Sequence, residues 1–109
     1  MAQDDMHVVM YKILAYLYAC MKAGERADRN EMSAAALGIN EVYWTEIIAE
    51  LTHRRLIKGV TVTHSPRSDG VYLDNPRVTM EGVEFLMENS MMAKAKQFLM
   101  DFKASVPFV

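Results

Sequence analysis

The fold is decided by residues 30–86, which read NEMSAAALGIN (30–40), YWTEIIAEL (43–51), LIKGVTVT (56–63) and VTMEGVEFL (78–86). The first two stretches carry apolar residues at helical spacing, whereas the third alternates with period two and the fourth starts another helix. Two short helices joined by a tight turn and followed by a ribbon form the order of a winged helix-turn-helix. We therefore predict a mainly α fold with a small β-wing (α+β) and an extra C-terminal helix.

The chain of 109 residues is expected to form a single winged-helix domain over 1–109, because this length is enough to bury one core. Asn30, Asn40 and Thr79 are predicted to cap helix starts. Gly24 and Gly38 are predicted to end helices, because glycine adopts the left-handed conformation at little cost. The predicted elements are a helix over 5–23, a helix over 31–37, a helix over 41–55, a wing over 58–74, a helix over 80–89 and a C-terminal helix over 91–104.

The first helix is unusually apolar, since Lys12 alone interrupts the run from Val8 to Met21. This run is shorter than the about 20 residues that a membrane span needs, and no membrane partner is expected. Asp4 and Asp5 have the wrong charge for a signal peptide. A single cysteine cannot form an internal disulfide, so we expect a cytoplasmic location.

The composition limits the function classes. The net charge is −2, which disfavours a dedicated nucleic-acid binder unless the cations are gathered on one face. The three histidines are far apart in the chain and have no ligand-spaced partner, so no metal or other cofactor is expected. No phosphate-binding glycine loop or nucleophile elbow is present, and we expect no enzyme activity.

The third helix divides into two faces when each residue is rotated by 100°. We predict that Trp44, Ile47, Ile48 and Leu51 form its buried face. In a DNA reader the other face would lie in the major groove, yet no Arg, Lys, Asn or Gln stands between Glu41 and His53. Residues of that exposed face are Val42, Thr45, Glu46, Ala49 and His53.

Cations of the wing and of the helix ends, together with the exposed face of the third helix, form a candidate DNA-binding surface. A solvated loop carries such residues in any case, and a basic residue at a helix end is also explained by the helix dipole. A continuous positive strip joining the four arginines of this set would favour DNA, whereas a scattered pattern would favour a protein partner. The candidate DNA-binding residues are Arg29, Tyr43, Thr45, Glu46, Arg54, Lys58, His64, Arg67 and Arg77.

The C-terminal helix carries an apolar stripe that needs a partner. One interpretation is packing against the first helix of the same chain, and the other is packing against a second copy in a homodimer. The candidate dimerisation residues are Met91, Met92, Ala95, Phe98, Leu99 and Phe102.

The layout from about Val9 to Phe102 resembles the YjcQ-type winged-helix proteins of Gram-positive bacteria and their prophages. The resemblance rests on the YKIL opening (11–14), the LGI turn (37–39), residues 51–59 leading into the wing, VTMEG (78–82) followed by Phe85-Leu86, and the appended C-terminal helix. It implies a winged-helix fold and a regulatory role, and it assigns no site residue.

Two functions are compatible with these features. The first is a transcriptional regulator of bacterial or prophage origin that binds double-stranded DNA, with helix three approaching the major groove. The second is a non-enzymatic protein-protein interaction module that keeps the winged-helix scaffold but has lost DNA binding. Fold order favours the first function, whereas the acidic third helix favours the second.

Overall fold

The computed structural model of the protein describes residues 4–67 and 69–88. The elements are α1 (Met6–Ala23), α2 (Ala34–Leu37), α3 (Glu41–His53), β1 (Ile57–His64) and β2 (Asp69–Val78), followed by helical residues 80–88, which we call α4. This order confirms the predicted mainly α fold with a small β-wing. The predicted helix over 91–104 and all six candidate dimerisation residues lie outside the described part of the chain.

Helix α1 forms one wall of the core. Its apolar stripe is buried against α3 and the hairpin, and it ends at Gly24, whose φ of 70° confirms the predicted left-handed residue. Within the described residues, no helix combines the length and apolarity needed to cross a membrane. The buried residues of α1 are Val9, Met10, Ile13, Leu14 and Leu17.

Helix α2 starts later than predicted, at Ala34 and not at Glu31. Its N-cap is Ser33, whose Oγ accepts a hydrogen bond from the Ala36 N–H at 3.2 Å and donates to the main-chain oxygen of Asn30 at 2.8 Å. The prediction of Asn30 as the cap was therefore wrong, because the chain from Asn30 to Ser33 forms a turn that places the serine hydroxyl at the helix start. Gly38 ends α2 as predicted.

Helix α3 starts as predicted, since Asn40 Oδ1 accepts a hydrogen bond from the Tyr43 N–H at 2.8 Å. It ends at His53, earlier than the predicted residue 55. Arg55 adopts a φ of 59°, and the Leu56 N–H bonds to the Leu51 oxygen at 2.9 Å. This bond closes the helix end and turns Leu56 into the core, which explains the earlier stop.

The wing is a two-stranded antiparallel hairpin in which Val60 faces Leu73 and Val62 faces Val71. It extends beyond the predicted end at residue 74, because β2 continues to Val78. A register shift after Lys58 allows this extension: Gly59 has a φ of 78°, and a Cβ there would lie 2.5 Å from the main-chain oxygen of Asn75. The pairs Lys58–Arg77 and Val60–Leu73 leave Asp74, Asn75 and Pro76 opposite the single Gly59, so the extra residues of this bulge lie in β2.

Helix α4 begins at a junction that ties it to the end of α3. The Thr79 Oγ1 accepts a hydrogen bond from the Gly82 N–H at 3.0 Å, which confirms Thr79 as the N-cap. The same hydroxyl donates to the main-chain oxygen of Arg55 at 2.7 Å. Leu86 is buried in the core, so this junction also sets how α4 packs.

Candidate nucleic-acid interface

The N-terminal half of α3 presents an open surface made of its first two turns. Glu41, Val42 and Glu46 are exposed, and 77% of the surface of Val42 is accessible. Thr45 is half-buried, and its hydroxyl donates to the main-chain oxygen of Glu41 at 2.9 Å. Of the predicted buried face of α3, Ile47, Ile48 and Leu51 are fully enclosed, whereas Trp44 is half-buried and packs against the core. We call residues Glu41, Val42, Thr45 and Glu46 the α3 surface.

One groove separates the α3 surface from the tip of the wing. It encloses about 450 Å³, and the α3 surface forms one wall. Ser65, Pro66 and Arg67 form the other wall. The hairpin therefore brings Arg67 of the wing beside the exposed start of α3.

A second groove of about 340 Å³ lies along the other side of the same helix. Glu41 and Thr45 line both grooves, and Arg29 lies in the second one, together with Trp44. At 100° per residue, Val42 and Trp44 point to opposite sides of the Glu41 and Thr45 row. Arg29 and Arg67 consequently lie on the two sides of the α3 surface.

Tyr43 is a candidate reader that the structure places elsewhere. Its ring packs against the core and its hydroxyl donates to the main-chain oxygen of Asp4 at 2.7 Å. Desolvation, followed by the nearby charges of Asp4 and Asp5, raises the pKa of Tyr43 above its ordinary value. The tyrosine thus attaches α3 to the start of α1, and it lines neither groove beside the α3 surface.

The remaining candidate cations are spread over other parts of the molecule. Arg54 follows α3, about 20 Å along the helix from Glu41, and its Nε lies 2.7 Å from Glu50 Oε2. Lys58 faces Arg77 across the base of the hairpin. The four arginines therefore form no continuous strip: Arg29 and Arg67 flank the α3 surface, whereas the other two lie away from it.

Arg77 belongs to strand β2, and its Nε donates to the Asn75 oxygen at 3.1 Å. It lines a separate groove at the end of α1, with Gly24 and Arg26 among its neighbours. His64 lies at the other end of the hairpin, opposite Asp69. Of the nine candidate DNA-binding residues, only Arg29, Thr45, Glu46 and Arg67 line the two grooves.

Val42 is the main functional candidate that was missing from the predicted DNA-binding residues, although it was assigned to the exposed face of the third helix. Helical rotation already puts it on the exposed face with Glu46, so the signal was present in the sequence. Ser65 and Pro66 had no such signal, because their position beside α3 depends on how the hairpin packs. Among the described residues, no group of three or more His, Cys, Asp or Glu side chains is arranged to hold a metal ion.

Comparison with known proteins identifies the family of the chain. A family model described as YjcQ protein matches residues 11–104 of the chain. No curated protein gives a significant match, and neither does any solved structure. Because the matched range spans most of the sequence, the chain belongs to the YjcQ protein family.

Proposed function

We propose that this member of the YjcQ family binds double-stranded DNA as a transcriptional regulator of bacterial or prophage origin. The observation that carries the proposal is the position of Arg29 and Arg67 on the two sides of the α3 surface. A helix that enters the major groove has a phosphate strand on each side, and cations at those two places neutralise phosphates. We also propose that the protein acts in the cytoplasm without a cofactor.

The geometry of α3 agrees with this mode of docking. The residues that reach base edges in helix-turn-helix proteins lie near the start of the recognition helix, where Val42 and Glu46 are exposed here. Carboxylates such as those of Glu41 and Glu46 would be repelled by phosphates. In the proposed complex they lie between the two arginines, so they face the base edges and not the phosphates. The proposed complex therefore has few phosphate contacts, and we expect a shallow dependence of binding on salt.

Fluorescence anisotropy with double-stranded fragments of the source genome tests the proposal. At low salt we expect binding, and Arg67→Ala should weaken it on all fragments alike while reducing the slope of log K against log salt by about one. Arg77→Ala is the matched control, since Arg77 lies in a separate groove and should leave that slope unchanged. Absence of binding to every fragment would overturn the proposal, and an unchanged slope for Arg67→Ala would overturn the role given to this residue.

A protein partner is the second candidate function. The scattered positions of the four arginines favour it, and so does the exposed Val42 between two glutamates. An open apolar side chain in an acidic setting suits a protein surface as well as a base edge. Cross-linking in the source cell followed by capture would then return one protein, and Val42→Asp would abolish its capture. A chain that binds DNA and returns no protein partner would exclude this alternative.

Homodimerisation through the terminal helices is a separate proposal. The six candidate dimerisation residues lie outside the described part of the chain. Light scattering of the full chain measures the mass directly. A mass close to the 12.4 kDa of one chain at micromolar concentration would contradict it.

A further inference from the structure

The α3 surface is built from hydrogen-bond acceptors and methyl groups. Glu41 and Glu46 offer carboxylates, and Val42 offers two methyl groups. The Thr45 hydroxyl already donates its proton to the Glu41 oxygen, so its oxygen is left as an acceptor and its methyl group as an apolar contact. The side chains of the α3 surface therefore offer a base no hydrogen-bond donor that is not already used.

The four bases differ in how well their major-groove edges fit such a surface. Cytosine presents an amino donor, and thymine presents a methyl group, which are the partners of a carboxylate and of an apolar side chain. Guanine presents only acceptors, which a carboxylate would repel. Adenine presents one donor beside one acceptor, so it fits a carboxylate less well than cytosine does.

The spacing of Val42 and Glu46 adds a constraint on the two bases. Residues four apart lie one turn apart on the same side of a helix, about 5–6 Å from one another. Successive bases along a strand are about 3.4 Å apart. One side chain can therefore contact a base that lies one or two steps from the base contacted by the other.

On the basis of the proposed DNA-binding function, we propose that α3 reads pyrimidines, Glu46 accepting from the amino group of a cytosine and Val42 contacting the methyl group of a thymine one or two steps away. Arg29 and Arg67 supply the phosphate contacts that hold the helix in place. The acidic residues of α3 thus select bases, and the two arginines supply affinity.

Selection from a random double-stranded library at low salt, followed by anisotropy on the selected site, tests this inference. We expect a site with a cytosine and a thymine within two steps. Replacing that thymine by deoxyuridine removes one methyl group and should weaken binding by about fourfold. The Val42→Ala variant should discriminate less between the two sites, because it retains only one methyl group at this position.

Glu46→Gln should reduce the preference for cytosine over the other bases by roughly fivefold or more, because an amide can donate as well as accept. Glu50→Gln is the matched control: Glu50 is paired with Arg54, and its loss should leave the preference intact. Salt-dependent binding without base preference, a guanine under Glu46, or a preference that Glu46→Gln leaves unchanged would each overturn the inference but not DNA binding. No binding at any salt would overturn both proposals.

Discussion

The indole N–H of Trp44 donates a hydrogen bond to the main-chain oxygen of Met32, at 2.8 Å. Met32 is itself buried, and it belongs to the turn that precedes α2. This bond ties α3 to the turn that precedes α2, the other half of the helix-turn-helix. It also keeps Trp44 beside the groove that contains Arg29.

Trp44→Phe should lower the free energy of unfolding by about 1–3 kcal/mol, because the Met32 oxygen would lose its partner in a partly buried place. Urea unfolding monitored by circular dichroism measures this loss, because that signal does not depend on the fluorescence of the tryptophan that the variant lacks. Tyr72→Phe is the control, since Tyr72 is 65% exposed and its change should stay within about 0.5 kcal/mol. Equal losses for the two variants would contradict a structural role for the indole nitrogen.

Gly59→Ala should destabilise the hairpin by at least about 2 kcal/mol, because it combines an unfavourable positive φ with a clash against the Asn75 oxygen. Gly24→Ala is the matched control. Gly24 has a φ of 70° but open space around it, so its loss should be about 1 kcal/mol. Thermal unfolding of both variants compares them, and a Gly59 variant as stable as the Gly24 variant would contradict the close approach.

Ser33→Ala should cost about 1 kcal/mol of unfolding free energy, because it removes the side chain that caps α2. Asn30→Ala should change stability by less than about 0.5 kcal/mol, since the Asn30 main-chain oxygen that bonds Ser33 is retained. Denaturant midpoints of the two variants distinguish the observed cap from the one that the sequence predicted. A larger loss at Asn30 would restore the sequence-based assignment.

The raised pKa of Tyr43 predicts a contribution to stability that disappears in alkaline solution. The folded protein holds the phenolic proton more tightly than the unfolded chain does. The contribution is therefore fully present below the ordinary pKa of about 10 and is lost as pH rises through the higher folded value. As pH rises through this range, the free energy of unfolding should consequently fall less for Tyr43→Phe than for the parent protein.

Nuclear magnetic resonance of the Tyr43 ring measures the pKa directly. Because the Asp4 charge is one cause of the shift, Asp4→Asn should move the pKa of Tyr43 toward its ordinary value. A Tyr43 resonance that titrates at or below about pH 10 would contradict the contact between this ring and the start of α1.

Local signals in the sequence predicted much of the fold. Asn40 and Thr79 were identified as caps because the bonds they make lie within the next few residues. The buried face of α3 followed from rotation by 100° per residue, since Ile47, Ile48 and Leu51 are four or fewer residues apart. Errors appeared where two local choices competed, as at Asn30 and Ser33, which are both good caps.

The candidate site was less predictable, because it joins residues that are distant in the chain. Arg29, Arg67 and α3 come from three separate segments, and only their packing decides that two of the four candidate arginines lie beside the helix. Tyr43 was misleading for the same reason: its neighbour Asp4 is 39 residues away. No periodicity within the third helix could indicate that contact.

The sequence by itself determined the order of elements, the helix ends at glycine and the inward face of α3, because each depends on neighbours within about one or two turns. The tertiary structure alone decided which cations share a surface with α3, because that depends on how the tip of the hairpin packs beside α3 and on how the turn before α2 packs against Trp44. Charges near each other in sequence, such as Arg54 and Glu50, neutralise one another on the helix. Charges far apart in sequence, Arg29 and Arg67, define the proposed site.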